Sequence, residues 1–355
     1  MPLSPDTTEL HARARADLRM GVPVVLTGPE GAALVAAVET LGSARFAALR
    51  AMPGAVIAIT ARRAATLTAR AYDGDVARIV VPGDADLAWA LALADPSGDL
   101  ATPMKGPLRS VRDGSADLHR GAISLAKQAH LLPAAMVVPI GDGAPAGLTV
   151  LPRGAVTAPA GPLRAVVSAR VPLSVSEAGR LHVFRPEDGG EEHYAVEIGN
   201  PDRDLPILAR LHSACFTGDL LGSLKCDCGP QLHAALARMG AEGGGVLLYL
   251  DQEGRGIGLA NKMRAYSLQD QGFDTVDANH RLGFEDDERD FRIGSDILKS
   301  LGFSSVRLLT NNPAKVARME AEGISVIERV PLVAGRTAQN HGYLATKAAR
   351  SGHLF

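Results

Sequence analysis

The sequence predicts an α/β protein of two domains, each a mixed sheet packed with helices. Its 355 residues exceed the length of one typical domain. Short apolar runs bounded by Gly and Pro alternate with stretches of helical periodicity, which indicates strands combined with helices. Residues 141–162 are dense in Gly, Pro and Ala and are typical of a linker. We therefore expect domains over 1–150 and 181–355, with 151–180 as linker and domain start.

The N-terminal half contains predicted strands and helices but few residues that suggest chemistry. Residues 24–27 and 55–60 are predicted as buried strands, and residues 31–41 and 119–130 as amphipathic helices. Carboxylates are sparse, and no Walker-type glycine loop or cluster of His, Asp and Glu occurs in this half. Functional residues are therefore expected in the C-terminal half.

The C-terminal half is predicted to alternate strands with helices. The expected strands are residues 181–184, 193–199, 245–250 and 305–310, and the expected helices are 231–240, 261–271 and one from the acids at 286–290 to about Leu301. Acids at a helix start are favoured by the helix dipole, so that cluster needs no functional explanation. The polar tail, residues 331–355, has no predicted role.

Every cysteine of the chain lies in one short stretch, as Cys215, Cys226 and Cys228. An odd number of thiols at this spacing does not suit a disulfide framework. Three thiolates can occupy three corners of a Zn2+ tetrahedron, and an open fourth position is typical of catalytic zinc. Two alternatives stay open: three buried thiols without metal, or a closed structural site completed by His212 or His233.

The composition excludes some classes of partner. Lys and Arg total 37 against 39 Asp and Glu, so the chain has no basic nucleic-acid footprint. The N-terminus lacks a basic region followed by an apolar run, and no stretch has eighteen consecutive apolar residues. We expect a cytoplasmic protein without nucleic-acid or membrane partners, which also suits reduced thiols.

A glycine-rich turn, residues 251–259, follows the predicted strand 245–250 and precedes a helix. The glycines do not match G-x-G-x-x-G, which excludes the dinucleotide fingerprint. Glu253 and Arg255 are then the informative residues, because a carboxylate can accept hydrogen bonds from a purine edge and arginine can clamp phosphate. A charged surface turn is the alternative.

A second strand-to-helix turn, residues 310–315, reads Thr-Asn-Asn-Pro-Ala-Lys. Pro313 suits the first helical turn, and Lys315 lies just inside the helix. The turn is interpreted either as an anion site or as an ordinary connection.

In combination, five motifs make residues 181–355 resemble GTP cyclohydrolase II. They are Arg-Leu-His-Ser-Ala-Cys-Phe-Thr-Gly-Asp, Cys-Asp-Cys-Gly, Gln-Glu-Gly-Arg-Gly-Ile-Gly-Leu, Asn-Lys-Met-Arg-Ala-Tyr-Ser-Leu-Gln-Asp and Leu-Leu-Thr-Asn-Asn-Pro-Ala-Lys. The resemblance implies a GTP cyclohydrolase II-like fold. It also implies hydrolysis of GTP to 2,5-diamino-6-(5-phosphoribosylamino)pyrimidin-4(3H)-one, formate and pyrophosphate, the first step of riboflavin biosynthesis.

The resemblance further implies the cofactors and the assembly. One Zn2+ per subunit on Cys215, Cys226 and Cys228 would acidify a water that attacks C8 of guanine. Mg2+ would accompany the triphosphate, and the enzyme would be a homodimer with GTP as its small-molecule partner.

The resemblance assigns site residues by motif. Arg289 would be the nucleophile at the α-phosphate, Asp287 its proton acceptor, and Tyr266 the residue that orients or protonates the ring. The implied GTP contacts are Arg210, Leu211, His212, Ser213, Ala214, Gln231, Glu253, Gly254, Arg255, Thr275, Thr310 and Lys315. Ala214 departs from the family, in which Glu is common at this position, so any side-chain contact there is lost.

The N-terminal half resembles a degenerate 3,4-dihydroxy-2-butanone 4-phosphate synthase domain. The resemblance rests on residues 91–96, Leu-Ala-Leu-Ala-Asp-Pro, and on the helix and strand over 119–140. The acidic loop of that synthase has no equivalent between Val22 and Leu49, and its Gly-His-Thr-Glu stretch is replaced by Ala-Asp-Leu-His-Arg-Gly. We therefore expect residues 1–150 to be inactive in the synthase reaction.

Two other functions are weighed against the cyclohydrolase. A regulator could bind guanine nucleotide without turnover, but it would have no need of the three cysteines together with Tyr266, Asp287, Arg289 and Lys315. A variant cyclohydrolase could stop at a formamidopyrimidine nucleotide, but the presence of Tyr266 speaks against a blocked second hydrolysis.

Overall fold

The structure is a computed structural model that describes residues 3–141, 143–158, 161–352 and 354, with the backbone alone at 347 and 351. Asp142, Pro159 and Ala160, which fall in or beside the predicted linker, and the ends of the predicted tail at His353 and Phe355 lie outside the described residues.

The described chain alternates helices and strands. The helices are α1 (Thr7–Arg19), α2 (Ser43–Arg50), α3 (Ala61–Thr66), α4 (Leu87–Ala94), α5 (Asp117–Gln128), α6 (Arg153–Thr157), α7 (Cys228–Ala241), α8 (Leu259–Asp270), α9 (Thr275–Leu282), α10 (Arg292–Ser300), α11 (Pro313–Ala321) and α12 (His341–Ser351). The strands are β1 (Val24–Gly28), β2 (Gly31–Ala37), β3 (Val56–Thr60), β4 (Val76–Val80), β5 (Ala134–Ile140), β6 (Val150–Pro152), β7 (Leu163–Arg170), β8 (Gly179–Pro186), β9 (His193–Gly199), β10 (Ile207–Ser213), β11 (Gly244–Leu250), β12 (Ser305–Leu309) and β13 (Ser325–Val330).

The chain forms two compact units, and each is built on a mixed sheet packed with helices, which confirms the predicted fold class. The N-terminal unit comprises Met1–Pro159 together with Ile257–Glu288, and the C-terminal unit comprises Ala160–Gly256 with Arg289–Phe355. The segment 257–288 therefore packs with the N-terminal half although it follows β11 in the chain. The predicted domain boundaries, with domains over 1–150 and 181–355 and a linker over 151–180, stay a prediction.

The sheet of the N-terminal unit has the order β4-β3-β5-β2-β1-β6. Neighbouring strands are antiparallel except β1 and β6, which are parallel. A core of residues from α1 and α5, such as Leu18 and Leu125, packs with one set of strand side chains. A second core combines the other set with α2, α4 and the hairpin of α8 and α9. Burying both faces explains the nearly continuous apolar runs of β3 and β5.

Residues 31–37 form a strand, so the helix predicted over 31–41 is wrong. β2 pairs with both β1 and β5 in the middle of the sheet. Every residue from Ala33 to Ala37 is buried. An amphipathic helix needs a polar stripe, which this run lacks, and burial on both faces outweighs the helix propensity of alanine.

The sheet of the C-terminal unit has the order β13-β12-β10-β11-β9-β8-β7. The four strands β13, β12, β10 and β11 are parallel to one another, and β9, β8 and β7 continue the sheet in antiparallel fashion. Ser213 lies opposite Leu250, so β10 and β11 end level with each other. Ligand sites of open α/β sheets lie at such carboxyl ends of parallel strands.

Most predicted elements are confirmed, whereas the acids at 286–290 do not begin a helix. Helix α10 begins at Arg292, and the acids lie in the preceding loop. Two of them form ion pairs, Glu288 with Lys127 and Asp290 with Arg292, and Asp286 Oδ1 lies 2.8 Å from His280 Nε2. Ion pairs with side chains, rather than a helix dipole, explain the cluster.

Among the described residues, no helix is both long and apolar enough to cross a membrane.

Candidate active site

The candidate site lies where three parallel strands of the C-terminal unit end. Cys215 follows β10 by two residues, the turn at Glu253 follows β11, and Thr310 follows β12 directly. The backbone N–H of Ala214 donates to the carbonyl of Leu250 at 2.7 Å, which ties the first two strand ends together. The sheet therefore brings together motifs that are about forty to a hundred residues apart in the sequence.

The three cysteines meet as the spacing predicts. Their sulfur atoms all lie within 4.8 Å of one another, and Cys215 Sγ is 3.8 Å from Cys226 Sγ. A tetrahedral metal with metal–sulfur bonds of about 2.3 Å separates its sulfurs by about 3.8 Å. Cys215 and Cys226 are buried and Cys228 is partly exposed. The group is therefore shaped to hold a metal ion.

Gly218 allows the three sulfurs to approach. A Cβ atom at this position would lie 2.8 Å from Cys226 Sγ and 3.0 Å from Cys215 Sγ. Its N–H donates to Cys215 Sγ at 3.3 Å. Gly229 is constrained in turn, because a Cβ there would lie 2.3 Å from the Gly218 carbonyl oxygen. Steric crowding therefore explains why glycine occupies both positions in the cysteine motifs.

The close thiols disfavour one another's ionised forms. Contact with Cys215 raises the pKa of the Cys226 thiol. Contacts with Cys215 and Cys226, followed by burial, raise the pKa of the Cys228 thiol well above its ordinary value. Clustered thiolates need a compensating positive charge, which a metal ion supplies. The donor set therefore fits a metal better than it fits three simple buried thiols.

Asp219 binds the backbone of the first cysteine, Cys215, by a hydrogen bond. Its carboxylate accepts hydrogen bonds from the Cys215 N–H, from His212 Nε2 and from the Tyr249 hydroxyl, each at 3.0 Å. The His212 and Tyr249 rings stack with centroids 5.6 Å apart. Burial lowers the pKa of His212 and raises that of Tyr249, so both are neutral at pH 7. His212 is thus engaged by Asp219 and is not placed as a fourth metal ligand.

Asp227, between two of the cysteines, begins a second buried chain of contacts. Gln231 Nε2 donates to Asp227 Oδ2 at 2.5 Å, and Arg210 Nη2 donates to Gln231 Oε1 at 2.5 Å. Arg210 Nη1 reaches the Leu309 carbonyl at 3.0 Å. Burial lowers the pKa of Arg210 to about 10. Arg210 and Gln231, predicted as GTP contacts, therefore link β10 to the cysteine loop.

The C-terminal tail supports the loop that carries Cys226. Asn340 is fully buried, and its Nδ2 donates to the Gly335 carbonyl at 2.7 Å and to the Cys226 carbonyl at 3.4 Å. The Thr337 hydroxyl donates to the Leu224 carbonyl at 3.1 Å. The sequence showed no periodicity or motif in this tail, so its contribution was missed.

The glycine-rich turn adopts a left-handed backbone. Gly254 and Arg255 both have φ of 64°, which is rare for a non-glycine residue and marks a constrained turn. The Glu253 carboxylate accepts hydrogen bonds from the Phe216 N–H at 2.6 Å and from the Gly254 N–H at 2.9 Å. Glu253 therefore holds this turn against the segment after Cys215.

A group of cations surrounds Phe291 in the same unit. The centroid of its ring lies 5.0 Å from the Arg289 guanidinium carbon, 4.5 Å from that of Arg318 and 5.8 Å from Lys315 Nζ. Arg289 Nη1 donates to Ser213 Oγ at 3.0 Å, two residues before Cys215. Lys315 Nζ donates to the Leu211 carbonyl at 3.2 Å. This concentration of positive charge at the strand ends suits a polyanion.

Phe291 and Arg318 were not predicted as site residues, and neither were Asp219, Tyr249 and Asn340. Asp219 lies inside a recognised motif and could have been found there. Arg318 had no such signal, since only folding brings it beside Arg289. Phe291 lies two residues after Arg289 in the sequence, but no motif marked it.

The remaining predicted contacts divide between the two units. In the C-terminal unit, the Leu211 side chain is buried in the core, and the Thr310 hydroxyl accepts from the Asn312 N–H at 3.0 Å. Tyr266 on α8, Thr275 at the start of α9 and Asp287 belong to the N-terminal unit. The Thr275 hydroxyl accepts from Gln269 Nε2 at 3.0 Å. The roles of all these residues stay predictions.

Comparison with known proteins extends over the whole chain. Residues 164–331 match the family model described as GTP cyclohydrolase II. A GTP cyclohydrolase-2 from Azospirillum brasilense is 44% identical over 370 residues, covering 100% of this chain and 96% of its own. The N-terminal half is thus shared with a relative of that name.

Other relatives match about half of the chain. A GTP cyclohydrolase-2 from Azotobacter vinelandii is 58% identical over 174 residues, 49% of this chain and 84% of its own. One from Salmonella typhimurium is 52% identical over 192 residues, 54% of this chain and 97% of its own.

A solved two-domain 3,4-dihydroxy-2-butanone 4-phosphate synthase from A. baumannii aligns with 90% of this chain and 99% of its own, at 14% identity and a TM-score of 0.31. A score this low does not establish a shared fold. The full-length relative, by contrast, is decisive, and the chain belongs to the GTP cyclohydrolase II family.

Proposed function

We propose that the protein hydrolyses GTP to 2,5-diamino-6-(5-phosphoribosylamino)pyrimidin-4(3H)-one, formate and pyrophosphate, the first step of riboflavin biosynthesis. Membership of the family supports this reaction. The observation that carries it is the group of three cysteine sulfurs within 4.8 Å of one another, on strand ends that also present Arg289 and Lys315. A regulator that only binds nucleotide would not need that combination.

The metal that fits the cysteine group best is Zn2+. Three sulfur donors, with a pair separation of 3.8 Å, match a tetrahedral site that leaves one position open. When bound, Zn2+ supplies Lewis acidity for the hydrolysis of the guanine imidazole ring. The protein's own contribution is to orient Cys215 through Asp219 and to hold Cys226 through Asn340.

The triphosphate would bind beside Phe291. Arg289 and Lys315 offer donors for phosphate oxygens, and Ser213 fixes the direction of the Arg289 side chain. Attack of an Arg289 nitrogen on the α-phosphorus would expel pyrophosphate, and Asp287 would accept the proton that the nitrogen loses. Water would then hydrolyse the phosphorus–nitrogen bond, which releases the 5-phosphate product and restores Arg289. Arginine is ordinarily protonated and a poor nucleophile, so this assignment depends on such a proton acceptor.

The purine would be recognised from the glycine-rich turn. A carboxylate has about four acceptor sites, and the two backbone N–H groups that Glu253 binds leave capacity for a purine edge. Tyr266 would orient the ring, and Arg255 would neutralise phosphate charge. Mg2+ would accompany the triphosphate, and we further propose a cytoplasmic homodimer.

The test is incubation of zinc-loaded protein with GTP and Mg2+, with formate, pyrophosphate and the pyrimidine product measured together. All three products should form with the wild type, and none with Cys226→Ser, which should also lose zinc. His233→Gln, which changes an exposed side chain on α7, is the matched control and should keep both zinc and activity. Pyrophosphate without formate would favour the formamidopyrimidine variant, and binding without turnover would favour a regulator.

We also propose that the N-terminal half does not perform the butanone phosphate synthase reaction. Its sequence lacks the acidic loop that the resemblance would require between Val22 and Leu49. The same purified protein should form no 3,4-dihydroxy-2-butanone 4-phosphate from ribulose 5-phosphate. Formation of that product would contradict the proposal.

A further inference from the structure

We propose that the N-terminal half acts in GTP hydrolysis as a positioning device, in which Lys127 and Arg62 hold the loop that carries Asp287. The inference rests on the proposed function. It assigns a task to residues of a half in which the sequence showed no chemistry. The contacts behind it all lie within the N-terminal unit, to which the segment 257–288 belongs.

Helix α8, which carries Tyr266, is bound to the N-terminal half by polar contacts. Asn261 is fully buried, and its Nδ2 donates to the His130 carbonyl at 3.0 Å. Arg264 Nη2 donates to Glu39 Oε1 at 2.9 Å, and its Nε donates to Asp95 Oδ2 at 3.2 Å. Residues from three separate N-terminal segments, after α5, β2 and α4, therefore bind this one helix.

The segment 257–288 also completes an apolar core of the N-terminal half. Leu268, Leu282 and Phe284 are at most 1% exposed and pack in the same cluster as Ile57 and Ile59 of β3. Removing the segment would uncover that face of the sheet, at about 25 cal/mol for each Å² of apolar surface. The N-terminal half and the segment are therefore one packed body, not a domain with a loosely attached hairpin.

The loop after α9 is held by two ion pairs to the N-terminal half. Lys127 Nζ, on α5, lies 2.5 Å from Glu288 Oε1, and both side chains are 22% exposed. Arg62 Nη2, on α3, lies 2.9 Å from Glu285 Oε2. Glu288 Oε1 also accepts from the Glu285 N–H at 2.9 Å, which closes the loop on itself.

Asp287 lies directly before a restrained residue. Glu288 is held by Lys127, and Asp286 Oδ1 lies 2.8 Å from His280 Nε2 at the end of α9. The chain continues from Glu288 directly into Arg289. Lys127 therefore acts one residue from the proposed proton acceptor and from the proposed nucleophile, while touching neither reacting group.

A shorter relative of the same name supports a role for the N-terminal half in positioning Asp287 and not in the chemistry itself. The Azotobacter vinelandii relative matches 49% of this chain while 84% of its own length is covered. Such a relative is therefore shorter than this chain and has no counterpart to about half of it. In this protein the segment 257–288 packs on N-terminal residues, so loss of the contacts that hold it should affect the chemical step and not the binding of metal.

The experiment compares Lys127→Met with wild type and with Arg120→Met in the full chain. Arg120 lines the same cleft as Lys127, but its ion pairs are with Asp75 and Asp117 of the N-terminal half. We expect Lys127→Met to lower kcat roughly tenfold to a hundredfold, the scale of loss when a reacting group is slightly misplaced. KM for GTP and zinc content should stay close to wild type, and Arg120→Met should leave kcat unchanged.

Conservative and charge-exchange variants, together with amide hydrogen exchange, distinguish a loss of loop positioning from a general loss of folding. Lys127→Arg should retain activity, and the charge exchange Lys127→Glu with Glu288→Lys should recover part of what either single change loses. Amide hydrogen exchange in residues 284–288 should be faster in Lys127→Met, whether or not the protein turns over GTP.

Unchanged kcat in Lys127→Met, unchanged exchange in 284–288, or an equal loss in Arg120→Met would each overturn the inference. A wild-type protein without GTP turnover would instead refute the proposed function. In that case the exchange measurement still decides whether Lys127 holds the loop.

Discussion

The Asp219 carboxylate accepts a hydrogen bond from the backbone N–H of Cys215, with Oδ2 3.0 Å from the nitrogen. The same carboxylate accepts from the Tyr249 hydroxyl and from His212 Nε2. Asp219 thereby sets the position of the first cysteine relative to β10 and β11, which carry His212 and Tyr249. Partners one step removed from a metal ligand commonly decide its orientation.

Replacing Asp219 should therefore weaken metal binding without removing a ligand. We expect Asp219→Asn to lower zinc affinity by about tenfold to a hundredfold, the usual cost of losing an outer partner. Competition with a chromophoric chelator measures this. Asp296→Asn, at an exposed site on α10, is the control. Equal zinc affinity in the two variants would show that Asp219 does not orient Cys215.

Adding one methyl group at Gly218 should disrupt the cysteine group. The new Cβ would lie 2.8 Å from Cys226 Sγ and 2.9 Å from Cys228 Cβ, so at least one sulfur must move. We expect Gly218→Ala to lose most of its zinc and its formate production. Gly342→Ala, where a Cβ meets nothing within 4 Å, should keep both. Full zinc occupancy in Gly218→Ala would contradict the steric argument.

Arg318 should contribute to GTP affinity through its charge. Its guanidinium carbon is 4.5 Å from the Phe291 ring centroid, beside Arg289 and Lys315. We expect Arg318→Gln to raise KM for GTP about fivefold, equivalent to about 1 kcal/mol for one partly screened charge. The effect should shrink at high salt, and kcat should change little.

Arg307→Gln is the control for Arg318, because Arg307 pairs with Glu242 and Glu328 on the sheet surface. Steady-state kinetics at low and high ionic strength measure both variants. A KM that rises equally in the two would indicate loss of overall charge and not a specific phosphate contact.

Stability should fall as the pH is lowered from about 6.5 towards 4. His193 is buried, its Nδ1 accepts a hydrogen bond from the Asp251 N–H at 3.0 Å, and burial lowers its pKa to about 4. Between that value and the unfolded pKa of about 6.5, the unfolded chain binds more protons, so acid favours unfolding. One such site contributes at most about 1.4 kcal/mol per pH unit.

Urea unfolding of His193→Gln at several pH values should show a smaller pH dependence than wild type over this range. His233→Gln, which replaces an exposed imidazole, should keep the wild-type dependence. If both variants titrate like wild type, His193 is not the source of the acid sensitivity.

Sequence patterns predicted the structure best where residue type and short spacing decide the local structure. The spacing of Cys215, Cys226 and Cys228 was enough to predict a metal-binding group, because Cys226 and Cys228 are only two residues apart in the sequence. The buried strand β3 was predicted from its apolar run. β2 was predicted as a helix, because alanine has high helix propensity and a single segment does not reveal that strands lie on both sides of it.

The sequence alone determined the strand-and-helix class, the grouping of the three cysteines as candidate metal ligands and, through its motifs, the family. These depend on residue type and short spacing, which are local properties. Only the tertiary structure decided that Asp219 orients Cys215, that Asn340 supports Cys226, and that the segment bearing Asp287 packs on the N-terminal half. Asn340 lies 114 residues from Cys226, and Asp219, although only four residues from Cys215, also binds Tyr249, which lies 30 residues away. Burial of a shared core selects such long-range contacts among many alternatives.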